Sequence, residues 1–522
     1  MMEPCDLSAV EAKRRIVGRS LSPVELLHSC VARIERTNPV VNAIVAIDVD
    51  AARKSADAIA LAMRRGEEVG LLAGLPIGVK DLQATAGLRT TSGSLLFKDH
   101  VPLKDEQSVA NVRKAGGVVL AKTNTPEFGA GGNTTNRVHG PTGNPFDAGK
   151  TCGGSSGGSA VALALGQVPL ATGTDYGGSV RTPAAFCGVV GFRPSPGLVP
   201  STDRAASLSP FRVTGAMGRT VADAHLLMRA QLGENKNDPF SSGDGRRIPA
   251  ELIGVDLGKL RAAVSPNLGC APIDRNIARV FSGRVTQFRH AFKEVQERAP
   301  DFGNVHEVFE VLRGVEYVAA HRDRLEQSRA LLGRNVIDNT ERALKLSLGD
   351  VSRAHVEQTA LYKRFLTFFD DVDALICPAA SVSPFPHSQP FVAEINGENM
   401  PTYMRWLALS YAPTMALACA VALPCGVDHL GLPFGIQVIG PNGSDARILQ
   451  IAHALEQVLR ESEATARPLP NLKSLGASHP AAQLLCELSQ GPAEVHGERM
   501  ISLANLNFIG ALNLLRLASC SL

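Results

Sequence analysis

The chain has 522 residues, 44% hydrophobic and 20% charged, which excludes a disordered polymer and leaves room for a large buried core. Lys plus Arg number 53 against 50 Asp plus Glu, a formal charge of +3, so the balance implies neither a nucleic-acid footprint nor attraction to an anionic membrane. The ten cysteines are scattered without a CxxC pair, which argues against a zinc site or a disulfide framework and for a reducing, cytoplasmic setting.

In chain order, "MMEPCDLSAVEAKRRIVGRS" lacks the apolar run of a secretory signal, and export is not expected. From Ser8 to about Gly66 apolar positions recur at helical spacing, with Ser22 before Pro23 as an N-cap and first helical residue. Residues 1–70 therefore read as a helical N-terminal arm. "GLPIGVKDLQ" reads as an apolar strand, "DEQSVANVRKAGG" as a helix, "GVVLAKTN" as a strand, "SAVALALGQ" as a buried helix and "VPLATGTD" as a strand. This alternation predicts an α/β sheet covered by helices on both faces. From Asp223 to about Phe369, charge and helix formers predict helical cover; "VDALICPAA" and "HLGLPFGIQVIGP" then predict further buried strands, and "DARILQIAHALEQVLRE" the closing helix.

No repeat or low-complexity linker interrupts Ser8 to Pro470, so a single large domain is expected, with its core over 71–471 and an appendage over 472–522. The last stretch, "ISLANLNFIGALNLLRLASCSL", is broken by Asn505, Asn507, Asn513 and Arg516, which argues against a membrane span. It reads as an amphipathic helix docking on this chain or on a second copy, which leaves a homodimer open.

Chemistry is to be sought where glycine concentrates: 17 of the 49 lie between Gly129 and Gly197. At the centre stands "KTCGGSSGGSAV", which admits three readings. "GNPFDAGKT", Gly143 to Thr151, approaches the P-loop pattern, but five residues separate its glycines, Pro145 removes one amide donor and no strand enters it. Gly153 to Gly157 satisfies G-x-S-x-G, the nucleophile elbow of α/β-hydrolases, yet "DAGKTC" before it is no strand. The third reading takes in more of the chain. Ser179, in "GTDYGGSVRTPAAFCG", follows Ser155 by 24 residues and ends a strand-like run, while Lys80 sits in an apolar strand 75 residues before Ser155. Desolvation disfavours an ammonium, so a lysine held there can act as a base near neutral pH, and Ser179, Ser155 and Lys80 can form a relay.

Three blocks, "GLPIGVKD", "GKTCGGSSGGSAVALALGQVPLATGTDYGGSVRTPAAFCGVVGFRPS" and "GLPFGIQVIGP", together resemble the amidase signature family, whose members hydrolyse carboxamides with a Ser–Ser–Lys triad. The resemblance runs from the N-terminal helices to about Pro470 and implies a central mixed β-sheet with helices on both faces. By motif position it implies Ser179 as the acyl-forming nucleophile, Ser155 as the bridging serine after a cis peptide bond, and Lys80 as the terminal base. It further implies the backbone N–H groups of Tyr176, Gly177, Gly178 and Ser179 as oxyanion donors. Ser156, Asp175 and Arg181 would hold the two glycine loops together, with Asp175 pairing Arg181.

Where many family members carry a small or aliphatic residue, the Tyr176 ring could pack into the core, line the acyl pocket or contribute its hydroxyl, and Trp406 could face the substrate channel; core packing is the default expectation for both. The histidines are dispersed and HExxH is absent, so no metal is expected, and amide hydrolysis by this relay needs no cofactor. The expected function is an amidase acting on a small-molecule carboxamide through a Ser179 acyl-enzyme. The alternative within the family is the A-type subunit of a tRNA-dependent amidotransferase; a P-loop protein or a G-x-S-x-G esterase lies further off.

Overall fold

A computed structural model of the protein describes residues 3–241 and 248–475. The amphipathic helix expected near the C-terminus lies outside the described residues. Thirteen strands are present among the described residues: β1 Ile44–Ile47, β2 Pro76–Lys80, β3 Val118–Thr123, β4 Leu170–Asp175, β5 Val190–Arg193, β6 Val213–Gly218, β7 Arg261–Val264, β8 Glu294–Glu297, β9 Ala374–Pro378, β10 Glu394–Ile395, β11 Glu398–Asn399, β12 Cys419–Val427 and β13 Pro433–Gly440. Eleven of them form one sheet in the order β1-β3-β2-β4-β6-β5-β12-β13-β9-β7-β8, and β10 pairs with β11 alone.

The sheet is mixed. Its two ends contain parallel ladders, β3-β2-β4 and β9-β7-β8, while β4 to β9 run through antiparallel pairs. Strands near the centre are buried along their whole length, as a sheet covered on both faces requires. Because side chains alternate across a strand, each central strand feeds two cores. In β9, Ala374 and Ile376 join one apolar core and Leu375 and Cys377 the other. The first core takes in the N-terminal helices and the helices Gly157–Ala164, Val221–Gln231 and Asp445–Arg460; the second takes in Val305–Ser328, Leu348–Phe368 and Ala408–Met415.

Local signals place several helices as expected. Ser22 caps Pro23–Val41, accepting from the Glu25 amide while the Glu25 carboxylate accepts from the Ser22 amide, a reciprocal box with proline at the first position. Two expectations need correction. The N-terminal arm is not wholly helical, since "IVAI" forms β1 on the edge of β3. The middle segment is not helical cover alone, since "RAAV" and "EVQE" form β7 and β8. These four-residue strands have no internal signal strong enough to declare them; their backbone groups find partners only when a neighbouring strand is already in place.

Candidate active site

Strands β2 and β4 are parallel neighbours, so their C-terminal ends reach the same edge of the sheet. Lys80 is the last residue of β2 and Asp175 the last of β4. Into this edge runs the turn 153–156, which opens the helix Gly157–Ala164, a helix buried on every side. The Gly154–Ser155 peptide is cis. A Cβ on Gly154 would stand 2.7 Å from the Gly131 carbonyl oxygen, so the turn can lie this deep only with glycine there.

The Lys80 side chain is wholly buried. Its Nζ lies 2.7 Å from Ser155 Oγ, 2.8 Å from Ser156 Oγ and 2.9 Å from Thr174 Oγ1. Burial pushes the amine well below the ordinary lysine value; the Asp175 carboxylate opposes that shift, and the Arg212 guanidinium adds to it. A neutral amine has two N–H donors and one lone pair. With three hydroxyl neighbours, it can give hydrogen bonds to two and accept one, which makes it a proton acceptor in the interior.

Asp175 is the structural hub of the second loop. Its carboxylate accepts from Arg181 Nε and Nη2 at 3.1 and 2.9 Å, from Arg193 Nη1 at 3.0 Å, and from the backbone amides of Gly178 and Val180 at 3.0 and 3.1 Å. Burial opposes its ionisation, but the charges of Arg181 and Arg193 override this and hold the carboxyl well below the usual carboxylate range. Arg181 also reaches the Ser410 carbonyl at 2.8 Å and Gln437 Oε1 at 3.1 Å, fastening the loop to the far half of the sheet. The two loops meet where the Ser156 amide donates to the Ser179 carbonyl at 3.0 Å.

Ser155 and Ser179 line one cavity of about 580 Å³, a size suited to a small or medium organic molecule. Ser155 and Ser179 share a wall, with no direct hydrogen bond between their hydroxyls. Around the loop, the amides of Tyr176, Gly177 and Ser179 donate to no acceptor among the described residues, whereas the Gly178 amide is engaged by Asp175. Gly178 has φ +112°, and a Cβ there would stand 2.5 Å from Ser410 Cβ.

The Tyr176 ring is not simply core. It packs on Phe211 and Phe309, with centroids 5.7 and 6.0 Å away, and its other side forms cavity wall. Trp406 is fully buried between Phe186 and Phe385, away from the cavity. The P-loop reading fails on geometry. Gly143 bridges to Thr151, the loop amides turn inward onto Asp147, and no helix begins until Gly157, so no phosphate cradle exists around Lys150. The elbow reading lacks its incoming strand, because β4 follows the helix that Ser155 precedes.

Two site residues escaped the sequence reading. Thr174 and Arg193 lie within the long block that carries the family resemblance but outside its glycine-serine turns, and only the pairing of β4 through β6 to β5 brings Arg193 to Asp175.

A buried amine against two serine hydroxyls, a third serine on a glycine loop and one large mixed sheet are an arrangement that suits a hydrolase. The comparisons narrow this to a family. The family model described as Amidase matches residues 25–449. An acylamidase of Rhodococcus erythropolis is 34% identical over 87% of this chain and 95% of its own length. The A-type subunit of the glutamyl-tRNA(Gln) amidotransferase of Acaryochloris marina is 31% identical over 85% and 96%. The crystal structure of a bacterial aryl acylamidase of the amidase signature family superposes with a TM-score of 0.79 at 26% identity, covering 91% of this chain and 99% of that one. The chain belongs to the amidase signature family of C–N bond hydrolases. Among the described residues no helix is long and apolar enough to cross a membrane.

Proposed function

We propose that the protein is an amidase that cleaves a small-molecule carboxamide to a carboxylic acid and an amine or ammonia through an acyl-enzyme on Ser179. The observation that carries this reading is the buried Lys80 amine, 2.7 Å from the hydroxyl of Ser155, a residue that lines one cavity together with Ser179. Neutral Lys80 takes the Ser155 hydroxyl proton as Ser155 takes that of Ser179, and Ser179 Oγ attacks the amide carbonyl carbon. The oxyanion faces the amides of Tyr176, Gly177 and Ser179, which have no other partner among the described residues. Collapse breaks the C–N bond, and the proton on Lys80 returns through Ser155 to the leaving nitrogen. Water then repeats the sequence on the ester, releasing the acid and restoring Ser179. Asp175, Arg181 and Ser156 position the two loops.

The test is to label the protein with a fluorophosphonate and map the modified peptide, alongside assays of free aliphatic and aryl amides without tRNA or ATP. Label on Ser179 and turnover of free amides are expected. Label on Ser155 alone overturns the relay. The likeness to the A-type subunits of amidotransferases supports a second reading, in which the same relay works within a larger assembly. Its signature is an isolated chain that takes the label on Ser179 yet turns over no free amide.

A further inference from the structure

A second cavity adjoins the catalytic one. It holds about 540 Å³, and its lining from the helices Val305–Ser328 and Arg334–Ala343 includes His306, Glu310, Asn339 and Arg342. Two residues, Arg313 and Met404, line both cavities. Beside the nucleophile loop the partition is one side chain thick. Gly177, one of the proposed oxyanion donors, stands on the catalytic face. A Cβ placed on it would lie 3.4 Å from Met404 Cε and 3.4 Å from the Phe309 ring, and both of those side chains line the second cavity.

The members of this partition differ in how they are held. Arg313 is fixed by hydrogen bonds to Asn339 Oδ1 at 2.7 Å, to the Tyr317 hydroxyl at 2.9 Å and to the Tyr403 hydroxyl. Phe309 is stacked on Tyr411, with ring centroids 4.0 Å apart. The Tyr403 hydroxyl also accepts from Asn339 at 2.9 Å, which anchors the residue next to Met404. The Met404 side chain is held by packing against the glycine loop and is 8% exposed. A flexible thioether chain in that place closes the pocket by volume alone. Because Gly177 borders the oxyanion position, a substituent that leads from the scissile carbonyl past this residue meets Met404. Against a closed wall, one methylene is worth about 10- to 200-fold in discrimination.

We propose that Met404 is a specificity-determining residue: it ends the substrate pocket and confines one side of the scissile amide to a short group. The inference rests on the amidase reading and narrows its substrate class to amides that are compact on the side passing Gly177.

The experiment measures kcat/KM along two series. Anilides of butanoic, hexanoic and decanoic acid lengthen the acyl side, and the N-butyl, N-hexyl and N-decyl amides of butanoic acid lengthen the amine side. In one series the wild-type chain is expected to fall at least about 10-fold from the shortest member to the longest. Met404→Ala joins the two cavities and should raise the long-to-short ratio of that series at least about 10-fold, with the shortest substrate kept within about 3-fold of wild type. Met404→Leu refills the gap and should keep the wild-type ratio. Leu407→Ala trims a residue that lines the catalytic cavity but not the second one, and it should move the ratio less than about 3-fold. Met404→Val carries the same test in smaller measure should the alanine variant not fold. No fall along either series in the wild type, a ratio that removing the Met404 side chain leaves in place, or one that Leu407→Ala raises as far, overturns the inference while leaving the amidase reading intact. Should no amide be turned over, the amidase reading fails instead, and the rates at which ethyl and decyl fluorophosphonates label the full chain decide the inference. A decyl-to-ethyl ratio raised at least about 10-fold by Met404→Ala supports it. An unmoved ratio, or no labelling by either reagent, overturns it.

Discussion

Two lysines lie fully buried on neighbouring parallel strands, Lys80 on β2 and Lys122 on β3, and only Lys80 bonds residues that line the cavity. Burial depresses both amines. Lys122 is pushed down to about 8 by burial, against the opposing charges of Asp81 and Glu106. Its Nζ bonds the Gln83 carbonyl and Thr85 Oγ1. Lys80 instead meets three hydroxyls, and two of them belong to residues that line the cavity, Ser155 and Thr174. A carbonyl oxygen has no proton to give, and the Thr85 hydroxyl already donates its own to the Gln83 carbonyl at 3.0 Å, so Lys122 remains a donor that fastens a loop. A hydroxyl can give as well as accept, so Lys80 can pass a proton on. The lesson is that burial tunes the amine, while the chemistry of its partners decides what the tuning is for.

The largest test of this contrast is Lys80→Met, which should lower kcat/KM about 10³- to 10⁴-fold, as loss of a general base does, without lowering the melting temperature. Asp175→Asn comes next. It leaves Arg181 and Arg193 buried without their counter-charge and should cost about 3–5 kcal/mol in denaturant unfolding. Lys122→Met should behave oppositely to Lys80→Met. Activity should stay within about 10-fold of wild type, while stability falls by about 1–3 kcal/mol from the loss of the buried hydrogen bonds to the Gln83 carbonyl and the Thr85 hydroxyl.

The pH profiles sharpen the same contrast. Lys80 must be neutral to accept a proton, so kcat/KM should rise with pH through a value well below 10.5 and then level off. For Lys122, the folded amine titrates at about 8 and the unfolded one at 10.5. Between those values the unfolded chain binds more protons, so unfolding free energy should rise with pH across that window. In Lys122→Met this contribution to the slope should vanish. The smallest effect belongs to Thr174→Val, which removes one hydroxyl from around Lys80 and should slow turnover about 3- to 10-fold.

Much of the site was legible because its parts are local. Glycine-serine turns, a lysine in an apolar strand and the spacing between them are all written along the chain, as is the Asp175–Arg181 pair, six residues apart. Arg193 and Thr174 were not legible as site residues. Each is a single polar residue whose role exists only after β4, β6 and β5 have paired, and no spacing announces it. The fold divides in the same way. The reciprocal cap at Ser22 and the long apolar helices declare themselves, whereas β1, β7 and β8 are strands by virtue of their neighbours. Aromatic character alone leaves the Tyr176 ring open between core and pocket wall, and only the folded cavity shows that it borders both.

The helix Gly157–Ala164 is enclosed on every side, and the helix Val305–Ser328 presents Arg313, Glu316, Tyr317 and His321 to the cavity. For anyone wishing to retarget the enzyme, this makes the molecule two materials in one. The first helix is a foundation in which diversity would mostly be lost to misfolding. The second is an interchangeable panel, where a library can redraw the pocket while the proton route behind it stays untouched.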